Sequence, residues 1–397
     1  MPARMQTLDR KLALLADRPG LQVADTAIDE IRPLSGEFRL VVRLKTWRIY
    51  LSNNLDNFGS KAVGPWQSFS TVAFNSYGLP GDVLTANFSS SPNDVRELAV
   101  GRISYDAPIG DGFKIGATAL HSEVRPGDER RDYGVITRSD FAELRGSFAP
   151  LQSQSSAVVV TAAFDAIESR ENDVFGTFYR DRIRTANLMV DVRLQDDFGG
   201  TNYLTVLGKR GISGLGATQY GDGMSSRYDA DPNVSIVDAW FTRYQTLTDT
   251  LSLKMSVAGQ LSTGPLLNWQ QFYLGGASFG RGYGSGEISG DNGIGGTFEV
   301  RFDGKTPWSV LPSYQLYGFV DGGAVWNSGY RIGDGLELAS VGGGIRLNLP
   351  QSFRADLGFA VPFGYRSPDN EARGVRFLLT VSNSLKLCPG SAGWNCS

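Results

Sequence analysis

Apolar residues in this chain recur at every second position, in stretch after stretch separated by polar turns. In residues 251–262, Leu251, Leu253, Met255, Val257, Gly259 and Leu261 fall on one face and Ser252, Lys254, Ser256, Ala258, Gln260 and Ser262 on the other. Side chains alternate in this way along an extended strand, so one face suits an apolar medium and the other water. The pattern returns at 186–195, where Ala186, Leu188, Val190, Val192 and Leu194 oppose Asn187, Asp191, Arg193 and Gln195, with Met189 out of pattern. It returns again where Val375, Phe377, Leu379 and Val381 oppose Arg376, Thr380 and Ser382, and only Leu378 breaks it. Carried along the chain, the rule predicts sixteen strands, near 47–54, 68–76, 82–91, 96–108, 113–124, 139–149, 156–169, 183–196, 201–212, 235–247, 250–263, 293–303, 314–327, 336–349, 353–364 and 374–385. The segments at 96–108 and 235–247 alternate poorly.

The connectors carry independent information. Short links at 77–81, 109–112, 197–200, 247–249 and 350–352 alternate with mostly longer ones at 125–138, 213–234, 264–292 and 364–373. Short turns on one side and long loops on the other, joining strands that mostly reach the about 9 to 11 residues a tilted membrane strand needs, are the signature of an outer-membrane barrel. A soluble β-sandwich would set polar residues where these strands present Leu, Val and Phe. Closing the sheet pairs every strand, the one way β-structure persists in hydrocarbon. The predicted fold is therefore all-β, a 16-stranded antiparallel transmembrane β-barrel over 46–386, with both termini on the short-turn, periplasmic side.

Composition narrows the function. Mean hydropathy is −0.18, and no apolar run is long enough for a membrane helix. A single His and two Cys, both in the last ten residues, exclude His-pair metal sites and zinc ribbons, and no metal or cofactor is expected. A net charge of −3 provides no global field for nucleic acid. Gly276-Ala277-Ser278-Phe279-Gly280 matches a nucleophile-elbow pattern, but it lies in a loop, and His121 sits on a distant strand, so no hydrolase follows.

The longest connector holds the candidate site. Residues 275–295 read GGASFGRGYGSGEISGDNGIG, nine Gly in 21 residues. Such a density lets backbone pack against other walls at an entropic cost that a freely solvated loop has no need to carry, so the segment reads as a hairpin folded into the barrel. Within it, Gly280-Arg281-Gly282-Tyr283 is similar to the VRGF/Y tip of the sixth extracellular loop in the BamA-like superfamily of polypeptide-transport barrels, with Phe279 and Gly280 where a single Val is usual. The continuation GSGEISGDNG, with Glu287 and Asp291, resembles the TpsB branch, the two-partner secretion transporters of the haemolysin-activator (ShlB and FhaC) type. Gly318-Phe319-Val320-Asp321-Gly322-Gly323, on the thirteenth predicted strand, resembles the superfamily's other signature, and LDNFGS and GPWQ at 55–60 and 64–67 resemble the start of a TpsB barrel.

Alternation places Tyr317, Phe319 and Asp321 on the lumen face, with Leu316, Val320 and Trp326 on the other. An Arg carried inward on a loop needs a partner, and a carboxylate fixes a guanidinium in two-point geometry. Arg281 is therefore expected to pair with Asp321, with Glu299, on the lumen face beside Thr297 and Arg301, as a further partner.

The resemblance implies a transporter rather than an enzyme. Its partners would be a secreted TpsA-type exoprotein, crossing unfolded, the lipid and lipopolysaccharide of the outer membrane, and the barrel assembly machinery that inserts it, with no nucleic acid and a monomeric barrel. Insertion of other barrels and passive solute flux are the alternatives. Residues 8–45 read as a short helix and two strands and resemble the back end of the second periplasmic POTRA domain, giving a partial POTRA unit at 1–45. MPARMQTLDRKLALLAD lacks a secretory signal, so truncation at the N-terminus is expected. Residues 387–397 form a tail in which Cys388 and Cys396 either close a small disulfide loop worth about 2.5 kcal/mol or stay reduced.

Overall fold

In the computed structural model, residues 5–32, 36–329, 335–364 and 374–387 are described. Cys388 and Cys396, and with them the tail disulfide, lie outside the described residues. Helix α1 (Met5–Ala16) leads into β1 (Leu21–Glu30) and β2 (Phe38–Thr46), which pair as a two-stranded sheet separate from the rest. The barrel begins with β3 (Ile49–Asp56), β4 (Gln67–Asn75), β5 (Val83–Ser90), β6 (Leu98–Pro108), β7 (Phe113–Val124) and β8 (Ile136–Gln152). It continues through β9 (Ser156–Asp173), β10 (Gly176–Gln195), β11 (Gly200–Gly211), β12 (Ser235–Thr246) and β13 (Leu251–Ser262). A small hairpin, β14 (Phe272–Leu274) and β15 (Ile288–Gly290), stands apart. The wall resumes with β16 (Asn292–Lys305), β17 (Ser313–Trp326), β18 (Leu336–Asn348), β19 (Arg354–Gly364) and β20 (Arg376–Leu387), which closes on β3 from Leu387↔Ile49 to Thr380↔Asp56. All sixteen predicted strands are present, every neighbour is antiparallel, and the barrel is closed.

One difference from the alternation reading has a clear cause. Residues 170–182 were expected to be a connector, yet β9 and β10 remain paired out to Gly176↔Asp173. The outward positions there, Arg170, Arg180 and Arg182, are charged because the hairpin has left the hydrocarbon, while the inward Ser169, Tyr179 and Asp181 are buried, with Asp181 accepting from the Ser226 backbone N–H at 2.8 Å in the loop that covers them. The period-two signal vanishes there while the backbone ladder continues.

The face assignment around the site follows the pattern. Tyr317, Phe319 and Asp321 are buried within the bore, whereas Leu316 and Val320 are 45% and 46% exposed on the outside. Two departures from alternation are explained by what fills the bore. Leu378 points inward and packs with Tyr317, Phe319, Ala360 and Phe58. Ile236, in the poorly alternating β12, is buried against Val234 and Leu266. An inward apolar side chain is stable where a loop covers it instead of water.

The connector from β13 to β16 turns into the barrel. Phe272, Leu274, Tyr283 and Ile288 form a core with wall residues Ala258, Val325 and Leu338, against which Phe279 packs. Burying a Leu or Ile side chain contributes about 1.5–3 kcal/mol, so this arm is held by apolar area before any charge is considered. We expect Leu274→Ala to weaken loop docking by about 2–5 kcal/mol, read as faster protease cleavage within 275–287 of a barrel that still migrates as folded. At the opposite end, α1 rests on the short turns: Arg10 donates to the carbonyls of Ala149 and Pro150 at 3.0 and 2.7 Å, Lys114 pairs with Asp17 at 2.8 Å, and Lys11 pairs with Asp111.

Candidate functional site

The tip of the inturned loop is shaped by backbone first. Gly280 has φ +93°, in the region side chains disfavour, and a Cβ there would stand 2.4 Å from Leu338 Cδ1. The chain thus turns sharply against the wall and presents Arg281 to β16 and β17. Gly282 N–H donates to Ser340 Oγ at 3.1 Å, and Tyr283, also buried, donates its hydroxyl to the Phe363 carbonyl at 3.1 Å.

Arg281 is 7% exposed, and each nitrogen of its guanidinium donates a hydrogen bond. Nε donates to Asp321 Oδ2 at 2.7 Å, Nη1 to Glu299 Oε2 at 2.9 Å and Nη2 to Thr297 Oγ1 at 2.9 Å. Its backbone N–H is shared by the two Asp321 oxygens at 3.3 and 3.5 Å. The Phe319 ring lies beneath Cζ at 3.4 Å from the centroid, a cation–π contact made in a dry setting. Ser340 Oγ donates to Asp321 Oδ1, so that carboxylate is oriented from the far side as well.

Glu299 is the hub. Besides Arg281 it accepts from Arg301 Nε at 2.6 Å and from Arg346 Nη1 and Nη2 at 2.7 and 3.2 Å. Arg346 also donates to Asp356 Oδ2 at 3.0 Å, and Tyr317 donates its hydroxyl to Asp356 Oδ1 at 2.7 Å. Three arginines (281, 301 and 346) face three carboxylates (299, 321 and 356), and Lys254, opposite Glu299 on β13, lines the same cavity, so most of the charge in this largely dry cluster is matched. Buried charges persist only when matched in this way.

Gly318 and Gly322 stand between the inward residues of β17 and face outward; a Cβ on Gly322 would meet the Leu338 carbonyl at 2.4 Å. Glu287 and Asp291 are not brought to Arg281. Glu287 sits behind the tip, near Gly275. Asp291 is fully buried higher in the barrel, where it accepts from Arg227 at 2.6 and 2.7 Å and from the backbone N–H groups of Leu266 and Ser328 at 3.0 and 2.8 Å. Burial works against the Arg227 charge, but hydrogen bonds to Asp229 and Asp291 outweigh it and raise its pKa above the ordinary arginine value. Asp291 therefore ties three loop segments together over the long-loop end. We expect Asp291→Ala to leave Arg227 short of a partner and to raise solute flux through the barrel in liposome-swelling measurements several-fold.

Sequence reasoning missed Ser340, Arg346 and Asp356, and took Arg376 only as a lumen charge. Arg346 and Asp356 sit on the inward parity of β18 and β19 and were open to the same count that found Glu299. Arg376 donates to the Tyr283 carbonyl on the loop tip and to the Asn57 and Gly59 carbonyls, the latter at 2.7 and 3.1 Å. With Ser285 N–H on the Phe58 carbonyl at 3.0 Å, this joins the tip to the connector after β3.

The family model described as haemolysin secretion/activation protein ShlB/FhaC/HecB matches residues 39–347. The chain belongs to the ShlB/FhaC/HecB family. Among solved structures it is similar to CdiB from Escherichia coli, with TM-score 0.76 and 16% identity over 91% of this chain and 67% of that one. It is also similar to CdiB from Acinetobacter baumannii, with TM-score 0.73 and 22% identity over 96% and 68%. BamA from Haemophilus ducreyi lacking POTRA domains 1–3 follows, with TM-score 0.60 and 12% identity over 95% and 77%. These likenesses are of fold. A search of curated proteins by sequence gives no match. As a ShlB/FhaC/HecB member, the chain is an outer-membrane protein transporter of the two-partner secretion type and not an enzyme.

Proposed function

We propose that this transporter passes an unfolded exoprotein of the TpsA type, a large β-helical adhesin or cytolysin, from the periplasm to the cell surface, and that Arg281 pins the loop that occupies its bore. The observation that carries this reading is the seating of one loop guanidinium between Asp321 and Glu299 on two adjacent wall strands. A passenger can share the bore only if the arm moves, and at the tip what holds it is chiefly polar. Extended chain fits a polar lumen of this size, whereas a folded domain does not. With no phosphate-binding loop in the sequence, directionality comes from folding of the passenger outside.

The short-turn end, where α1 rests, faces the periplasm in this reading, as does the C-terminal end of β20, and residues 1–45 are the POTRA-type unit that meets the passenger. The seam favours export over barrel insertion: β20 and β3 share eight residue pairs, as many as β3 and β4. The protein acts as a monomer inserted by the barrel assembly machinery. Co-expression with a candidate exoprotein encoded beside it tests the reading. Passenger should reach the surface only when this barrel is present, while loss of other outer-membrane barrels in its absence would point to insertion instead.

A further inference from the structure

The outer face of the barrel carries a feature that transport does not use. Ile167 and Ile183 of β9 and β10 pack with Ala230 and Leu267 of the inturned loops, so residues of opposite parity on these strands point away from the bore. On that outer face the strand register reads as rows. One row runs Ala86, Ile103, Ala119, Ala142 and Ala166 and ends at Arg184. The next, toward the long loops, runs His121, Asp140, Glu168 and Arg182, and the one beyond it Glu123, Arg138, Arg170 and Arg180.

The small side chains of the first row leave an open, largely apolar groove of ≈ 800 Å³, bounded by His121, Asp140, Glu168 and Arg184. Leu144, 68% exposed, stands on its short-turn side. Along β10 the outward positions are apolar from Leu194 to Ala186 and then become Arg184, Arg182 and Arg180. Eight residues at about 3.3 Å each, on a strand tilted about 40°, rise roughly 20 Å, close to the height of the apolar band of such barrels. The arginines therefore begin where hydrocarbon ends.

Charge is unbalanced on this face. Arg138 pairs with Glu123 at 2.7 Å, Arg184 and Arg180 share Glu168 at 3.1 and 3.4 Å, and Asp140 faces His121 at 2.7 Å. Arg170 and Arg182 have no carboxylate within ion-pair distance among the described residues, and Arg182 Nε is buried without a hydrogen-bond partner. An apolar groove edged by Glu168 and Arg184, with two uncommitted guanidiniums one and two rows beyond Arg184 at headgroup level, matches one chemistry: an acyl chain carrying a phosphate.

We propose that this face binds a phosphorylated glycolipid of the outer leaflet, its phosphate on Arg170 and Arg182 and an acyl chain in the groove between Ala119 and Ala166. Arginine suits the task because its planar fork holds two phosphate oxygens at once. The choice of leaflet rests on the orientation given under Proposed function; the contacts themselves do not.

The test uses the full barrel in detergent, its folding checked by heat-modifiable migration, with bound lipid counted by native mass spectrometry. Probes are bisphosphoryl lipid A, its dephosphorylated form and phosphatidylglycerol. Wild type should retain bisphosphoryl lipid A about tenfold more tightly than the dephosphorylated form, and Arg170→Ala with Arg182→Ala should erase that preference. Ala142→Trp, which fills the groove, should lower retention of both forms. Equal retention of the two lipid A forms, unchanged in the double variant, overturns the site. Tighter retention of phosphatidylglycerol than of lipid A overturns the outer-leaflet assignment. Export plays no part in this readout, so it fails or succeeds independently of the transport reading.

Discussion

Arg281→Ala is expected to cut surface delivery of the exoprotein at least tenfold while the barrel still folds and inserts. The substitution leaves Asp321 and part of Glu299 buried without the cation that offsets them, and removing one member of a buried ion pair costs about 3–5 kcal/mol. Arg281→Lys should rescue little, since an ammonium cannot donate to Asp321, Glu299 and Thr297 from one plane, nor stack on Phe319 as a guanidinium does. The arm stays anchored at β13 and β16, so an unpinned tip remains in the bore as a loose chain that competes with the passenger. Surface immunodetection of the passenger, paired with heat-modifiability of the barrel, reads both halves of the expectation. Undiminished export from a barrel lacking the guanidinium would remove Arg281 from the mechanism.

Glu299→Gln should be as damaging to docking and should differ in sign electrically. Glu299 is shared by three guanidiniums, from Arg281, Arg301 and Arg346, so its loss leaves these three and the neighbouring Lys254 against two carboxylates. Arg281→Ala leaves two guanidiniums and Lys254 against three carboxylates, one positive charge fewer than wild type. In planar bilayers both variants should open more often than wild type, but the glutamine variant should shift the reversal potential toward anion preference and the alanine variant toward cations. Because the two residues touch, the double variant should cost much less than the sum of the single effects. Equal selectivity in the two single variants would mean that this cluster does not set the field of the pore.

The arrangement also suggests how one loop can be both firmly held and releasable. Most of its apolar area is in the arm, around Leu274 and Ile288, while polar contacts hold its two ends, Arg281 and Tyr283 at the tip and Asp291 at the base. The tip reaches beyond its own strands as well, through Arg376 and Ser285 to residues 57–59 next to the barrel's closing pair. Displacing the tip therefore disturbs the start of the wall together with its thirteenth strand.

Much of the barrel was legible because its two solvents impose opposite demands on successive residues. Sixteen strands, the inward face of Asp321 and the outward face of Val320 follow from period two alone. The reading weakened wherever that contrast was lost. The outer part of the β9–β10 hairpin turns charged side chains to water and polar ones to a covering loop, and Leu378 and Ile236 meet protein on their inner side, so their alternation fails for different reasons.

By itself the sequence determined a closed alternating wall, a glycine-rich connector long enough to enter it and the pairing of a loop arginine with an acid on the thirteenth strand. Tertiary structure alone decided that Glu299 gathers three arginines, that Arg346 and Asp356 join the cluster, that Glu287 and Asp291 stay out of it, and that Arg376 joins the tip to the connector after β3. The physical reason is that alternation fixes which way a side chain points, whereas partners across a bore depend on the stagger between strands and the depth to which the loop descends, neither of which leaves a period in the chain.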